Sequence, residues 1–373
     1  MEKIAIFGGT FDPVHSEHIR LCHTAIEQLK LDKLIIMPTF TPPHKESAVS
    51  SDKHRFNMLK LAFATLDKCE VSDYELKKGG VSYTYQTMEY FKKQFNAKLY
   101  FIVGLDMLYD FKTWKNPERI LSACDLVAFG REGYYTDIEA TRQYFLKNFG
   151  KDFIQLNYEG KNVSSTKIRV YSSLNLDITG LADESVVKYI KENELYAPNE
   201  ITRFLIKNLT TKRLIHTANV AILAMEKAKS LNLSRSKVLT ASLLHDCAKY
   251  LKKEDFPFFK IDADVPKPVE HAFLGAYVAK AVLNVLDEEV LDAICYHTSG
   301  KANMSTLSKL IFVADMLEEG REYEGVDELR RLYKKDFNEC FLACLSEEFL
   351  HLKNKGQPIY RETINAVNFY LNK

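Results

Sequence analysis

Short apolar runs separated by amphipathic stretches fill the first half of this 373-residue chain and then stop. The runs at 3–7, 33–37, 98–103, 125–129 and 153–156 predict strands, and stretches between them, such as 17–30 and 84–95, carry helical spacing. Continuous apolar strands alternating with helices indicate a parallel sheet covered on both faces, the doubly wound α/β class. Such sheets bind ligands beyond the C-terminal ends of their strands. After about residue 200 strand candidates disappear. Leu307, Leu310, Ile311 and Ala314 fall at i, i+3, i+4 and i+7, as an amphipathic helix requires. The second half therefore reads as a separate all-α domain. Tyr196-Ala197-Pro198-Asn199 marks the boundary, with proline stopping the preceding helix, and gives domains 1–196 and 197–373.

Charge narrows the partners. Lys plus Arg is 51 and Asp plus Glu is 50, a balance that argues against a polybasic nucleic-acid surface. The seven cysteines form no CxxC pair, which suits reduced thiols in the cytoplasm better than a disulfide framework. Cys340 and Cys344 lie one helical turn apart, and without nearby partners they read as core packing. No stretch approaches the roughly 18 apolar residues of a membrane span, and the N-terminus lacks the pattern of a signal peptide. The expectation is a soluble cytoplasmic protein with no membrane or nucleic-acid partner. Its oligomeric state leaves no mark on the sequence.

Histidines sort by domain. Five of the ten lie within residues 15–54, four within 216–297, and one is His351. Two separate sites account for that clustering. In the first, Gly8-Gly9-Thr10-Phe11-Asp12-Pro13-Val14-His15-Ser16-Glu17-His18 joins a strand to a helix. Gly8 and Gly9 lack a Cβ, which lets backbone amides approach a phosphate. The helix N-terminus that follows adds donors and positive potential, and His15 and His18, three apart, can face one phosphate group together.

This segment resembles the nucleotidyltransferase superfamily with its HxGH signature, and its wider form is similar to nicotinate-nucleotide adenylyltransferases. Glu17 stands where the signature has glycine, which puts the fine geometry in question. Further elements follow in the family's order: Thr41-Pro42-Pro43-His44-Lys45, Arg55 with Met58, Val81-Ser82-Tyr83-Thr84, Gly104-Leu105-Asp106, Phe111 with Trp114, and Ser164-Ser165-Thr166-Lys167-Ile168-Arg169. The resemblance spans about 4–170. It implies a Rossmann-like nucleotidyltransferase that transfers AMP from ATP to nicotinate mononucleotide, with Mg²⁺ accompanying ATP. His18, His15, Lys45 and Arg169 would stabilise phosphoryl charge. Gly8, Gly9, Thr10, Gly104, Asp106, Ser165 and Thr166 would bind ATP, Asp106 at a ribose hydroxyl. Thr84 and Trp114 would hold the pyridine nucleotide. Pantetheine-phosphate adenylyltransferases and cytidylyltransferases share the signature but not the remaining elements.

In the second half, His245-Asp246 closes the apolar run 238–244 and Asp315 closes the run 310–314. A buried carboxylate without a partner is costly, and a metal is the usual remedy. Imidazole and carboxylate suit Fe, Mn, Co or Zn. The pattern His216…His245-Asp246…Asp315 resembles the HD-domain metal phosphohydrolases. With His271, His297-Thr298-Ser299-Gly300, Lys249 and Arg321 it is similar to the bacterial subgroup that splits diadenosine tetraphosphate symmetrically. That implies one or two divalent metals, Fe, Mn or Co, held by His216, His245, Asp246 and Asp315, with His271 and His297 serving a second metal or a phosphate. Lys249 and Arg321 would contact phosphate. A dinucleoside polyphosphate or another nucleotide would be the substrate. The alternative is an HD domain that binds metal and nucleotide without turnover and regulates the transferase.

Overall fold

The computed structural model describes residues 1–41, 49–130, 138–356 and 359–372. Two compact units emerge, one of Met1–Ile168 with Ile178–Tyr196, the other of Arg169–Asp177 with Ala197–Lys373. The helix before the boundary, Glu184–Glu192, ends at an Asn193 cap ahead of Pro198, so proline is not what stops it. The excursion of residues 169–177 into the helical unit has no signature in the sequence, because Val170 and Leu174 would serve a sheet core equally well.

The first unit is a parallel six-stranded sheet among the described residues, ordered β3-β2-β1-β4-β5-β6. Its strands are β1 (Glu2–Gly9), β2 (Lys33–Pro38), β3 (Cys69–Val71), β4 (Ala97–Gly104), β5 (Asp125–Phe129) and β6 (Ile154–Gln155). Each apolar run expected to be a strand overlaps one. β3 escapes the pattern because it is three residues long, at the sheet edge, with Glu70 at its centre. Helices α1 (Ser16–Leu29), α2 (Asp52–Ala62), α3 (Tyr74–Lys78), α4 (Thr84–Gln94) and α5 (Leu105–Tyr109) follow the first four strands. Then come α6 (Pro117–Ala123), α7 (Ile138–Phe149), α8 (Ser165–Ser173) and α9 (Glu184–Glu192). Ile4–Phe7 and Leu99–Val103 are buried without a break, as central strands covered on both faces must be. Strand order reverses between β1 and β4. That is the switch point where such sheets bind ligands, and both the glycine turn and Gly104 lie at its C-terminal end.

One buried cation holds that end in shape. Arg55, on α2, is fully buried and donates to the carbonyls of Thr10 and Thr39, each at 2.7 Å, while pairing with Asp52. It therefore ties the turns that leave β1 and β2.

The helical unit comprises α10 (Glu200–Asn208), α11 (Thr211–Lys227), α12 (Arg235–Leu244), α13 (Lys267–Ala281) and α14 (Glu288–Cys295). It continues with α15 (Thr306–Leu317), α16 (Val326–Lys335), α17 (Phe337–Asn354) and α18 (Arg361–Tyr370). Leu307, Leu310, Ile311 and Ala314 are all fully buried on α15, in line with their spacing. Cys340 and Cys344 are buried too, their sulfurs 4.0 Å apart within the same core. Among the described residues no helix is long and apolar enough to cross a membrane.

Replacing Arg55 with leucine strands two carbonyls and should cost about 2–4 kcal/mol in denaturant unfolding of the full chain. Lysine should recover less than half of that loss, because its single nitrogen cannot stand where the two guanidinium nitrogens donate to Thr10 and Thr39. A loss below about 0.5 kcal/mol would mean that the clamp is idle.

Candidate active sites

The first site grows from the start of α1. His15 is its N-cap residue, and the His15 backbone N–H donates to Nδ1 of His18 at 3.1 Å. A histidine whose Nδ1 accepts carries its proton on Nε2. The His18 ring is fixed further by stacking on His15, centroids 3.6 Å apart and 25° between planes, and by the edge of Phe11 at 4.9 Å. Local backbone chemistry thus aims a neutral N–H donor. Phe11 takes a φ of 49°, and a Cβ on Gly9 would press on its ring at 3.0 Å, so glycine is required there. Gly8 differs: its Cβ would have ordinary room, 3.7 Å from Phe101. The hydroxyl of Thr10 is buried without a hydrogen-bond partner among the described residues, a vacancy suited to a polar ligand.

Glu17 proves to be an anchor. The side chain is buried, and its carboxylate accepts from Arg20 at 2.5 Å, from the Lys161 backbone N–H at 2.8 Å and from the Tyr158 hydroxyl at 2.8 Å. Burial works to raise this carboxyl, but Arg20, Lys161 and Tyr158 outweigh it and hold it below the usual range. The residue that departs from the signature therefore fastens α1 to the segment before α8.

The other expected residues are placed as follows, where the structure describes them. Asp106 opens α5 directly after β4, and a Cβ on Gly104 would collide with its carboxylate. Ser165 begins α8 and donates to the Pro13 carbonyl at 2.8 Å. Its proton thus serves the turn. Arg169 lies one turn further along α8. Trp114 is half-buried against Phe111 and Phe101, at centroid distances of 5.3 and 6.3 Å. Lys115 lies over the Tyr83 ring at 4.6 Å, which brings Trp114 beside the α4 start that carries Thr84. Lys45 lies outside the described residues.

The second site is a buried knot of imidazoles and carboxylates in the helical unit. Nε2 of His216 lies 3.2 Å from Nε2 of His245 and 3.1 Å from Asp315 Oδ1. Asp246 shares its two oxygens between histidine pairs. Oδ2 lies 3.8 Å from His216 and 3.7 Å from His245, while Oδ1 lies 3.1 Å from His271 and 3.7 Å from His297. These donors form three overlapping groups of metal-ligand geometry, and each group has its ligand atoms within 4.8 Å of one another.

Tautomers test whether a cation fits. Nδ1 of His245 is 2.6 Å from the Ser242 carbonyl, and Nδ1 of His297 is 2.7 Å from that of Ile294. Carbonyls only accept, so both Nδ1 atoms carry protons and both Nε2 lone pairs face inward. His216 Nδ1 likewise donates to Glu318 at 3.0 Å. Two lone pairs facing at 3.2 Å repel unless a proton or a metal lies between them. The donor set fits a divalent ion.

Three cations ring this knot. Arg213 donates to Asp246 Oδ2 at 2.6 Å and Arg321 to Asp315 Oδ1 at 2.5 Å. Lys249 sits 3.2 Å from His271 Nε2 and 3.7 Å from Asp246. They roughly balance Asp246, Asp315 and Glu318, so a bound divalent ion leaves the site positive and suited to a polyanion. Sequence reasoning missed Arg213, Glu318 and Asn219. All three lie one turn from a marked residue, on either side of His216 and after Asp315, and that helical spacing was the only available signal.

A phosphate turn at the switch point of a doubly wound sheet, joined in one chain to a buried His–Asp cluster, defines a nucleotidyltransferase fold followed by an HD domain. Residues 6–170 match the cytidylyltransferase-like family and residues 213–320 the HD domain. A Clostridium tetani protein named "probable nicotinate-nucleotide adenylyltransferase" is 44% identical over 199 residues, 52% of this chain and 100% of its own length. Two relatives named "probable nicotinate-nucleotide adenylyltransferase/Ap4A hydrolase" align along nearly everything. That of Mycoplasma pneumoniae is 30% identical over 89% of this chain and 94% of its own, and that of Mycoplasma genitalium 28% over 92% and 97%. The chain belongs to the nicotinate-nucleotide adenylyltransferase family, in the form that carries a C-terminal HD domain.

Metal and protons compete for these histidines. Burial lowers His245 from its ordinary 6.5 to about 3, so in the metal-free chain its contribution to stability is whole above about pH 6.5 and is lost as pH falls toward 3. Burial also works to lower His216, but Asp315 and Glu318 outweigh it and raise the group above 6.5. A proton held there must leave when metal arrives. Calorimetry of metal binding near pH 7 should therefore give heats that depend on the buffer's ionisation enthalpy, with affinity rising as pH rises. Buffer-independent heats would contradict this account.

Proposed function

We propose that the chain is a bifunctional enzyme of the cytoplasm, a compartment that suits its seven free cysteines. The first unit transfers AMP from ATP to nicotinate mononucleotide. A phosphate oxygen of the mononucleotide attacks the α-phosphorus, the bond to the β-phosphate oxygen breaks, and nicotinate adenine dinucleotide and pyrophosphate are released. Such a step needs positioning and charge neutralisation more than covalent help. The observation that carries this reading is the His15 N–H bond to His18 Nδ1, which leaves Nε2–H to donate to the phosphates. His15 steadies that ring, and Gly8, Gly9 and Thr10 offer backbone and hydroxyl donors. Thr166 and Arg169 add contacts along α8, Lys45 adds charge, and Asp106 takes the ribose. Trp114 and Thr84 receive the pyridine ring and its carboxylate. Mg²⁺ accompanies ATP and offsets phosphate charge.

The second unit hydrolyses diadenosine tetraphosphate to ADP. His216, His245, Asp246 and Asp315 would hold one divalent ion, while His271 and His297 would serve a second ion or a phosphate. Iron, manganese or cobalt bound there supplies Lewis acidity that activates water and stabilises charge on phosphorus. Arg213, Arg321 and Lys249 receive the phosphate chain. Arg213 and Arg321 also orient the ligand carboxylates through their hydrogen bonds to Asp246 and Asp315.

Two single substitutions in the full chain separate the activities. His18→Ala should lower transferase kcat by roughly 10²–10³ with KM little changed and leave hydrolysis intact. His245→Ala should abolish metal-dependent release of ADP and leave the transferase intact. An unchanged kcat in His18→Ala would overturn its role. Saturable metal binding with no hydrolysis of the tetraphosphate would instead make the HD domain a regulatory module.

A further inference from the structure

His216 is the donor whose orientation depends most on other side chains. His245 and His297 are steered by carbonyls of their own helical segments, whereas His216 relies on Glu318, which stands near the end of a different helix. That carboxylate in turn needs fixing. Its Oε1 takes the His216 Nδ1 proton at 3.0 Å, and its Oε2 takes the Gly320 backbone N–H at 2.6 Å and the Asn219 Nδ2 donor at 3.0 Å. Asn219 is buried on α11, one turn beyond His216, and its Oδ1 accepts from the Tyr171 hydroxyl at 3.2 Å.

The polarity of this chain is fixed throughout. Glu318 is acceptor-only once ionised, so Asn219 must turn its amide nitrogen toward it and its oxygen away. An outward-facing amide oxygen in a buried setting needs a donor, and the Tyr171 hydroxyl supplies one. Four side chains in series therefore set one tautomer, leaving the His216 Nε2 lone pair facing Asp315 and His245. Tyr171 lies outside the HD match at 213–320. It belongs to α8, two residues past Arg169, in the segment Arg169–Asp177 that is part of the helical unit. Its ring packs against the core of that unit.

We infer that Tyr171 is a positioning residue for the metal site of the helical unit, acting through Asn219 and Glu318 on His216. This rests on the reading that the cluster holds a divalent ion. Partners behind a histidine ligand commonly set metal affinity, and a tyrosine two links removed exerts a smaller share of that effect.

The test uses the full-length protein with Tyr171→Phe, which keeps the ring and removes only the hydroxyl. Affinity for Co²⁺ is measured by chelator competition, and the visible absorption of the bound Co²⁺ reports the ligand field. Tyr171→Phe should weaken Co²⁺ binding by about three- to tenfold and alter that absorption. In an Asn219→Ala background the same change should have no further effect, because the link is already broken. Unaltered affinity and spectrum in Tyr171→Phe would overturn the inference, as would equal losses with and without Asn219. His245→Ala separates this from failure of the metal reading. If the parent chain binds Co²⁺ no better than His245→Ala, the metal site itself is wrong and the inference falls with it.

Discussion

A buried carboxylate shared between two pairs of histidines is the constraint around which the helical unit is built. Asp246 is 2% exposed, and burial alone would drive it toward the neutral acid. His245, His271 and His297 hold it well below the usual range instead. An ionised group in that position is tolerable only when every neighbour is arranged for it. The guanidinium of Arg213 and the ammonium of Lys249 are parts of that arrangement. The apolar helices around it supply the low dielectric that makes each of these interactions strong, and a divalent ion completes the set.

The first unit solves a different problem with similar means. Its ligand is large, anionic and transient, so the fold supplies donors rather than lone pairs. There the proton of His18 is directed outward to Nε2 by a backbone N–H at Nδ1, whereas in the metal knot the protons are directed to Nδ1 by carbonyls and a carboxylate. Opposite tautomers suit opposite tasks: an Nε2–H can donate to an anion, whereas an Nε2 lone pair can bind a cation. Arg55 keeps the donor-bearing turn in register, and the anchor at Glu17 does the same for the start of α1.

Much of this was legible in the sequence because apolar periodicity reports burial directly. The central strands, the change of texture near residue 200 and the burial of His245 and Asp246 all follow from it. What escaped was whatever depends on partners distant in the chain. Glu17 looks like a defect until Tyr158 and Lys161 are seen to receive it. Asn219 looks like an ordinary polar residue inside α11 until Glu318 and Tyr171 bracket it. Ser165 carries no local sign of its bond to the Pro13 carbonyl, 152 residues away. β3 is too short, and too polar at its middle, to register as a strand. Residues 169–177 join the helical unit through apolar contacts that no local pattern can assign.

The central claim is that the helical unit closes around divalent metal. The metal content of the full chain, purified anaerobically without chelator, tests it most directly, with native mass spectrometry giving the number of ions per chain. The account predicts one or two bound ions, lost in His245→Ala and restored to the metal-stripped parent by adding Fe²⁺, Mn²⁺ or Co²⁺. A parent chain that carries none, and whose thermal unfolding no divalent ion shifts, would contradict it.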